Sequence, residues 1–346
     1  MKVLVTGGAG FIGSHCVDGL LSEGHDVTVV DDFSTGSETN LIQARATAKV
    51  SGRNLQVLKA TVADLELWRK LPAHDALLHF AAQTSVTASV AQPEHDFSVN
   101  VNCIPAMTQW IVRNGVRFVV YANTAGALYG EALSFPTDER ALITPLSPYG
   151  ATKSFFETYL AALTRSRKAG GDWSNDPALP NYFSWMSLRL ANVYGPRQVS
   201  KGEAGVIPIF IEKMVKGEMP TIFGDGNKVR DYIYVGDVAR AFLAAFEKIR
   251  QVAIDDVFNV STGVETRDIE VFDAVLDGLH ERCRKDPTLE KTKKALDVRE
   301  PRFAPVRPGE VKRSSLNNFK IQSYLNWRPE RSFAEGVLET VLAYPL

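Results

Sequence analysis

Residues 2–13 read KVLVTGGAGFIG. Lys2–Thr6 is a short run of β-branched and apolar residues, suited to a buried parallel strand. Gly7, Gly10 and Gly13 follow, and the chain then takes on a helical pattern. Strand, glycine turn and helix in that order suit the pyrophosphate of a dinucleotide. Gly7 can turn tightly at positive φ. Gly10 has no Cβ to hold a phosphate off the backbone, and Gly13 lets the helix lie close on the strand. The helix start offers N–H groups and a partial positive charge to the phosphates. Taken alone, the spacing also fits an ordinary strand–turn–helix, so the residues downstream carry the decision.

Working outward, residues 11–23 have one apolar helical face, ended by Gly24. A second strand at 26–30 runs into Asp31 and Asp32. An acid about 20 residues past the glycine turn can hold the adenosine ribose diol. Its charge would repel a 2′-phosphate, which predicts NAD over NADP. Both acids are assigned to the cofactor, with capping of the next loop as the alternative for each. Strands are expected at 55–58 and 75–80. The latter ends at Phe80, and Ala81 and Ala82 are small enough for a cofactor to lie on the backbone. One helix is expected over 93–114, with Asn100 inside it. Asn is a poor helix-interior residue, so Asn100 is assigned a buried hydrogen-bonding role at the cofactor.

A fifth strand at 117–121 leads to Thr124, on the carboxyl side where α/β sheets bind ligands. Ser147 and Pro148 then open a helix that carries Tyr149 and Lys153 one turn apart on one face. Its apolar surface exceeds one packing face and reads as a subunit contact. Residues 166–182 read as an exposed insertion and 185–190 as a sixth strand. The fold class expected is α/β, with a doubly wound parallel sheet at 1–190 and a smaller C-terminal α/β lobe at 191–346. Parts of 231–262 are expected to return to the first domain. Within the lobe, helices are expected at 205–216 and 237–249 and near 315–325 and 333–343. A tight turn is expected at 224–227, strands at 230–235 and 257–260, and a charged, solvated connection at 284–300.

Lys and Arg total 39 against 40 Asp and Glu. That balance argues against a surface for nucleic acid. Cys16, Cys103 and Cys283 are odd in number and far apart, which predicts reduced thiols and a cytoplasmic setting. A strand that starts at residue 2 leaves no room for a signal peptide. No apolar run approaches the ~18 residues of a membrane span. The histidines lack metal-ligand spacing, so no metal is expected.

A Tyr and a Lys one helical turn apart can form a proton-transfer pair. A free phenol has a pKa of about 10, and serving as a base near neutrality requires a fall of roughly three units, about 4 kcal/mol. Lys153 supplies positive charge, and an oxidised nicotinamide would supply more. Thr124 could hydrogen-bond the same substrate oxygen. The set suits removal of a hydroxyl proton while hydride leaves the carbon for NAD. Such pairs also arise by chance on helices, so the weight comes from the dinucleotide turn ahead of them.

Four motifs extend the argument: TGGAGFIGS at 6–14, HFAAQTSV at 79–86, YGATK at 149–153 and LANVYGPRQ at 190–198. Together they resemble the extended short-chain dehydrogenase/reductase family, and most of all its UDP-glucose 4-epimerase branch. FGDGNKVRDYIYVGDVARA at 223–241 and RPGE at 307–310 carry the resemblance through the lobe. It implies Tyr149 as base, Lys153 as its partner and Thr124 as third member. It implies NAD contacts from Gly7, Gly10, Phe11, Ile12, Gly13, Asp31, Phe80, Ala81, Ala82 and Lys153. Asn192, Gly205, Val206, Arg230, Arg307 and Glu310 would hold a UDP-sugar, the arginines by bidentate contact with the diphosphate. A homodimer through the helices at 93–113 and 148–165 is implied as well.

The chain departs from the family pattern in places. The shorter family form of the loop puts Ala125 at the hydroxyl position, and a form one residue longer selects Thr124. Leu190 stands where many members have an aromatic residue, and Ala60-Thr61 replaces a Gly-Asp near the adenine. Ser314, seven residues past Arg307, stands where some members carry a bulky Tyr, which leaves room for an N-acetyl group. The resemblance implies epimerisation of UDP-glucose and UDP-galactose through a 4-keto sugar, with UDP-GlcNAc and UDP-GalNAc as further substrates. Ala125-Gly126 lacks the Asp-Glu pair of a 4,6-dehydratase. A UDP-glucuronate 4-epimerase or decarboxylase, or an NAD-sensing protein without turnover, are the alternatives.

Overall fold

The computed structural model describes residues 1–168, 183–199, 205–286, 300–306 and 311–345. Six strands and eight helices come first. They are β1 (Lys2–Thr6), α1 (Phe11–Ser22), β2 (Asp26–Asp31), α2 (Ile42–Ser51), β3 (Leu55–Lys59), α3 (Leu65–Lys70) and β4 (Ala76–His79). Next are α4 (Val86–Ala91), α5 (Pro93–Asn100), α6 (Cys103–Arg113), β5 (Phe118–Thr124), α7 (Gly126–Tyr129), α8 (Pro148–Lys168) and β6 (Ser184–Leu190). The remainder holds β7 (Asn192–Tyr194), α9 (Val206–Val215), β8 (Thr221–Phe223), β9 (Val229–Tyr234), α10 (Val235–Gln251), β10 (Asp255–Val260), β11 (Glu265–Arg267) and α11 (Asp268–Lys285). It ends with β12 (Arg302–Ala304), β13 (Arg313–Ser314), α12 (Phe319–Leu325) and α13 (Phe333–Ala343).

Seven parallel strands form the main sheet in the order β10-β6-β5-β4-β1-β2-β3. β1 shows why KVLVT reads as a strand. Val3 and Val5 enter one buried layer and Leu4 the other, as a period of two requires when both faces are covered. α1 and α10 cover the first face with Val17, Leu20, Phe242 and Phe246, and α3, α6 and α8 cover the second with Trp68, Trp110, Phe156 and Leu160. The chain moves from β1 outward to β3 and returns to the other side of β1 at β4. That reversal opens a crevice at the carboxyl ends of β1 and β4, where doubly wound sheets bind ligands. β7, β9, β11 and β13 form a second, smaller sheet, and β8 pairs with β12.

Three expectations need correction. The helix over 93–114 is two helices, α5 and α6, broken at Val101 and Asn102. Pro105 is the reason. In a continuous helix its ring would strike the Val101 carbonyl, whereas the first turn of α6 tolerates it. Asn100 therefore ends α5 instead of lying inside a longer helix. α11 occupies a stretch for which no element is expected, although its buried Val271, Phe272, Val275, Leu276, Leu279 and Cys283 recur at helical spacing. Of the insertion expected at 166–182, residues 166–168 complete α8, and 169–182 lie outside the described residues. The connection expected at 284–300 falls mostly at 287–299, also outside them.

Candidate active site

The glycine turn has the geometry of a dinucleotide cradle. Gly7 sits at φ +69°, and a Cβ there would meet Ala81 N at 2.6 Å. A Cβ on Gly13 would meet the Gly7 carbonyl oxygen at 2.2 Å. Both Phe80 N and Ala81 N donate to Thr6 O, at 3.0 and 3.1 Å, which lays the end of β4 over the turn. Gly10 is the N-cap of α1, no side chain caps that helix, and its first turn, which holds Phe11, Ile12 and Gly13, contains no acid. An uncapped, glycine-walled helix start suits the diphosphate of NAD.

Asp31 ends β2 and is buried. Its Oδ2 accepts from Ala9 N and its Oδ1 from Phe33 N, each at 2.9 Å. Burial raises its pKa, and the hydrogen bonds from Phe33 and Ala9 oppose that rise. The carboxylate thus braces the glycine turn from the next strand. Asp32 is exposed, and its Oδ1 accepts from Ser34 N at 2.9 Å and Ser34 Oγ at 2.6 Å, the geometry of a loop cap. Phe80 stacks obliquely on Phe242 at 4.6 Å between ring centres, and Ala81 and Ala82 are half-buried.

Thr124 is the last residue of β5 and is half-buried. Ala125 is fully buried against Tyr129 and Leu316. α8 begins over this turn: a Cβ on Gly150 would meet the Ala127 carbonyl oxygen at 2.3 Å. Such an approach is open to glycine alone, and it seats the first turn of α8 on Ala127. Lys153 lies one turn further along α8 and is 4% exposed. Its Nζ donates to Ala122 O at 2.8 Å and stands 4.3 Å from the centre of the Tyr121 ring. Burial lowers its pKa to about 7, and its interactions with Cys103 and Asp96 oppose that fall.

The lobe residues gather on the small sheet. Thr124 is in register with Leu190, and Asn192, exposed at the start of β7, is two residues further on. β7 pairs with β9, which carries Arg230. Ser314 of β13 is in register with Arg230. The Arg230 guanidinium donates to Val229 O at 2.9 Å and Val311 O at 2.6 Å. Gly205 caps α9 at Val206, and a Cβ on Gly205 would meet Gln198 Nε2 at 3.0 Å. Arg307 and Glu310 lie outside the described residues.

Several residues at this site go beyond the sequence reading. Asn100 Oδ1 accepts from Gln83 N at 2.9 Å, and its Nδ2 donates towards Asp96 Oδ1 at 3.1 Å and Thr152 Oγ1 at 3.2 Å. Asp96, Gln83 and Thr152 are the unforeseen members of that cluster. Glu157 of α8 forms a buried pair with Arg189 of β6 and accepts from Asn123 Nδ2 at 3.0 Å, directly beside Thr124. The signal in the sequence was the spacing of Asp96 and Asn100, i and i+4 on one helix face.

The model of a family described as the NAD dependent epimerase/dehydratase family matches residues 3–261. UDP-glucose 4-epimerase of Mycolicibacterium smegmatis is 37% identical over 343 residues, covering 99% of this chain and 97% of that protein. The crystal structure of the Thermotoga maritima UDP-glucose 4-epimerase with UDP-glucose superposes with a TM-score of 0.80 at 36% identity, covering 99% of this chain and 98% of that one. UDP-N-acetylglucosamine 4-epimerase of Methanobrevibacter ruminantium M1, in complex with UDP-N-acetylmuramic acid, superposes with a TM-score of 0.82 at 30% identity, covering 99% and 97%. With the glycine cradle, the crevice at the sheet reversal and a match along nearly its whole length, the chain belongs to the NAD dependent epimerase/dehydratase family.

Proposed function

We propose that this chain is a UDP-sugar 4-epimerase that interconverts UDP-glucose and UDP-galactose through a transient 4-keto sugar. The observation that supports this most is convergence: the dinucleotide cradle, Thr124 and the first turn of α8 share the carboxyl end of one sheet. The relatives named above act on sugars of that kind.

Tyr149 removes the proton of the 4-hydroxyl, and Lys153 favours the phenolate by its charge. Thr124 hydrogen-bonds the same sugar oxygen. Bound NAD would supply the hydride acceptor and donor needed for inversion at the sugar C4. Gly7, Gly10 and Gly13 hold its diphosphate, and Asp31 its ribose. Asn192, Gly205, Val206 and Arg230, with Arg307 and Glu310, keep UDP anchored while the keto sugar turns. Purified protein incubated with UDP-glucose should form UDP-galactose up to equilibrium, by NMR, with no second substrate consumed. Conversion of UDP-glucuronate alone would refute the assignment.

UDP-GlcNAc is a second substrate in this reading. Ser314 stands in register with Arg230 and is half-buried, so a small side chain lines that part of the lobe. Ser314→Tyr should lower turnover of UDP-GlcNAc about tenfold relative to UDP-glucose, by overpacking of the pocket. An unchanged ratio refutes this part. The enzyme is a cytoplasmic homodimer of galactose metabolism in the same reading. Its buried Cys16, Cys103 and Cys283, in no disulfide among the described residues, and the exposed Phe97 and Phe155 on α5 and α8 support that.

A further inference from the structure

Asp96 is fully buried in α5. A carboxylate there costs several kcal/mol unless donors meet it. Three do. Gln83 Nε2 and Asn100 Nδ2 donate to Oδ1 at 2.8 and 3.1 Å, and Thr152 Oγ1 donates to Oδ2 at 2.8 Å. Among the described residues, no cation forms an ion pair with it. An amide at 96 has one acceptor oxygen, which could serve Gln83 and Asn100 but would leave an NH2 facing Thr152 Oγ1, so the Thr152 contact calls for the second carboxylate oxygen. Thr152 adjoins Lys153, and its Oγ1 also lies 3.0 Å from the Tyr149 carbonyl oxygen.

We propose that Asp96 is a positioning residue for the Tyr149–Lys153 pair: through Thr152 it fixes the first turn of α8, and its negative charge keeps Lys153 an ammonium. This rests on the roles given to Tyr149 and Lys153 above. The groups that face Lys153 from other elements are Asp96 from α5, Cys103 from α6, His79 from β4 and Tyr121 from β5. Burial lowers the His79 pKa to about 3 and raises the Cys103 thiol to about 12. Burial also holds the Tyr121 phenol well above its usual value. These three stay neutral around pH 7, which leaves Asp96 as the counter-charge from outside α8.

The test uses the full-length enzyme with UDP-glucose. Asp96→Asn should lower kcat about 10- to 100-fold with KM within about twofold, since misplacement of a reacting group acts on the chemical step. Loss of one negative charge eases deprotonation of every group that faces it. The kcat–pH profile should therefore move about one unit to lower pH. Thr152→Ala should lower kcat without moving the profile, and Thr152→Ser should restore it. Thermal denaturation shows whether each variant is folded at the assay temperature. A D96N profile that superimposes on the parent's overturns the proposal. A T152A kcat equal to the parent's does the same, and decides alone if D96N does not fold. Native turnover in Tyr149→Phe would instead overturn the parent reading, however D96N behaves.

Discussion

Tyr149→Phe should reduce the interconversion of UDP-glucose and UDP-galactose about 100- to 10,000-fold, the usual contribution of a positioned acid–base group. The substitution removes one oxygen and leaves the ring. Tyr149 is half-buried in the first turn of α8, and Gly150 still seats that turn on Ala127, so the fold and the bound cofactor should persist. The loss should fall on kcat and leave KM within about threefold, because the missing group acts mainly in the transition state. The sign of the pH dependence follows from the pair. The productive form has a phenolate at 149 and an ammonium at 153. Activity rises as the phenol ionises and falls as the ammonium loses its proton, and burial has already drawn the pKa of Lys153 down to about 7. The two titrations are coupled, so the limbs of the profile belong to the pair and not to either residue. Parental kcat in the Phe variant would refute the role of Tyr149.

The beginning of the chain was legible because its signals are local. KVLVT, the three glycines and the acid at the end of β2 each act within a few residues, and a doubly wound sheet follows from the repetition of strand and helix. Pro105 is equally local, and it marks the break between α5 and α6. The order of the strands is another matter. β10 joins the sheet beside β6 after the chain has passed through three strands of the lobe, and nothing in DDVFNV says which neighbour it takes. The Asp96–Thr152 bond spans 56 residues, so neither partner could announce the other. Gly150 was invisible for a related reason. Its need for a missing Cβ comes from the Ala127 carbonyl, on a separate helix. The residues proposed as catalytic are singled out by type and spacing, whereas the groups that hold them in place are not.

Gly13→Ala should abolish tight cofactor binding. The added methyl would sit 2.2 Å from the Gly7 carbonyl oxygen and 3.0 Å from Gly8 Cα. Both are backbone atoms of the turn, so no side chain can rotate away. Either α1 withdraws from the end of β1, or the turn opens and Gly7 leaves its place against Ala81. Both movements take the N–H groups at the start of α1 away from the diphosphate they are built to meet. NAD affinity should fall at least about 100-fold, which is about 2.7 kcal/mol. Cofactor content after purification and calorimetric titration with NAD measure it. Gly52→Ala separates this effect from general damage. Gly52 lies at φ +66° after α2, with nothing within 4 Å of its Cβ position. Alanine there costs about 1–2 kcal/mol of stability through backbone strain and should leave NAD affinity unchanged. Equal losses of affinity in the two variants would mean that contact at the turn is not what binds the cofactor.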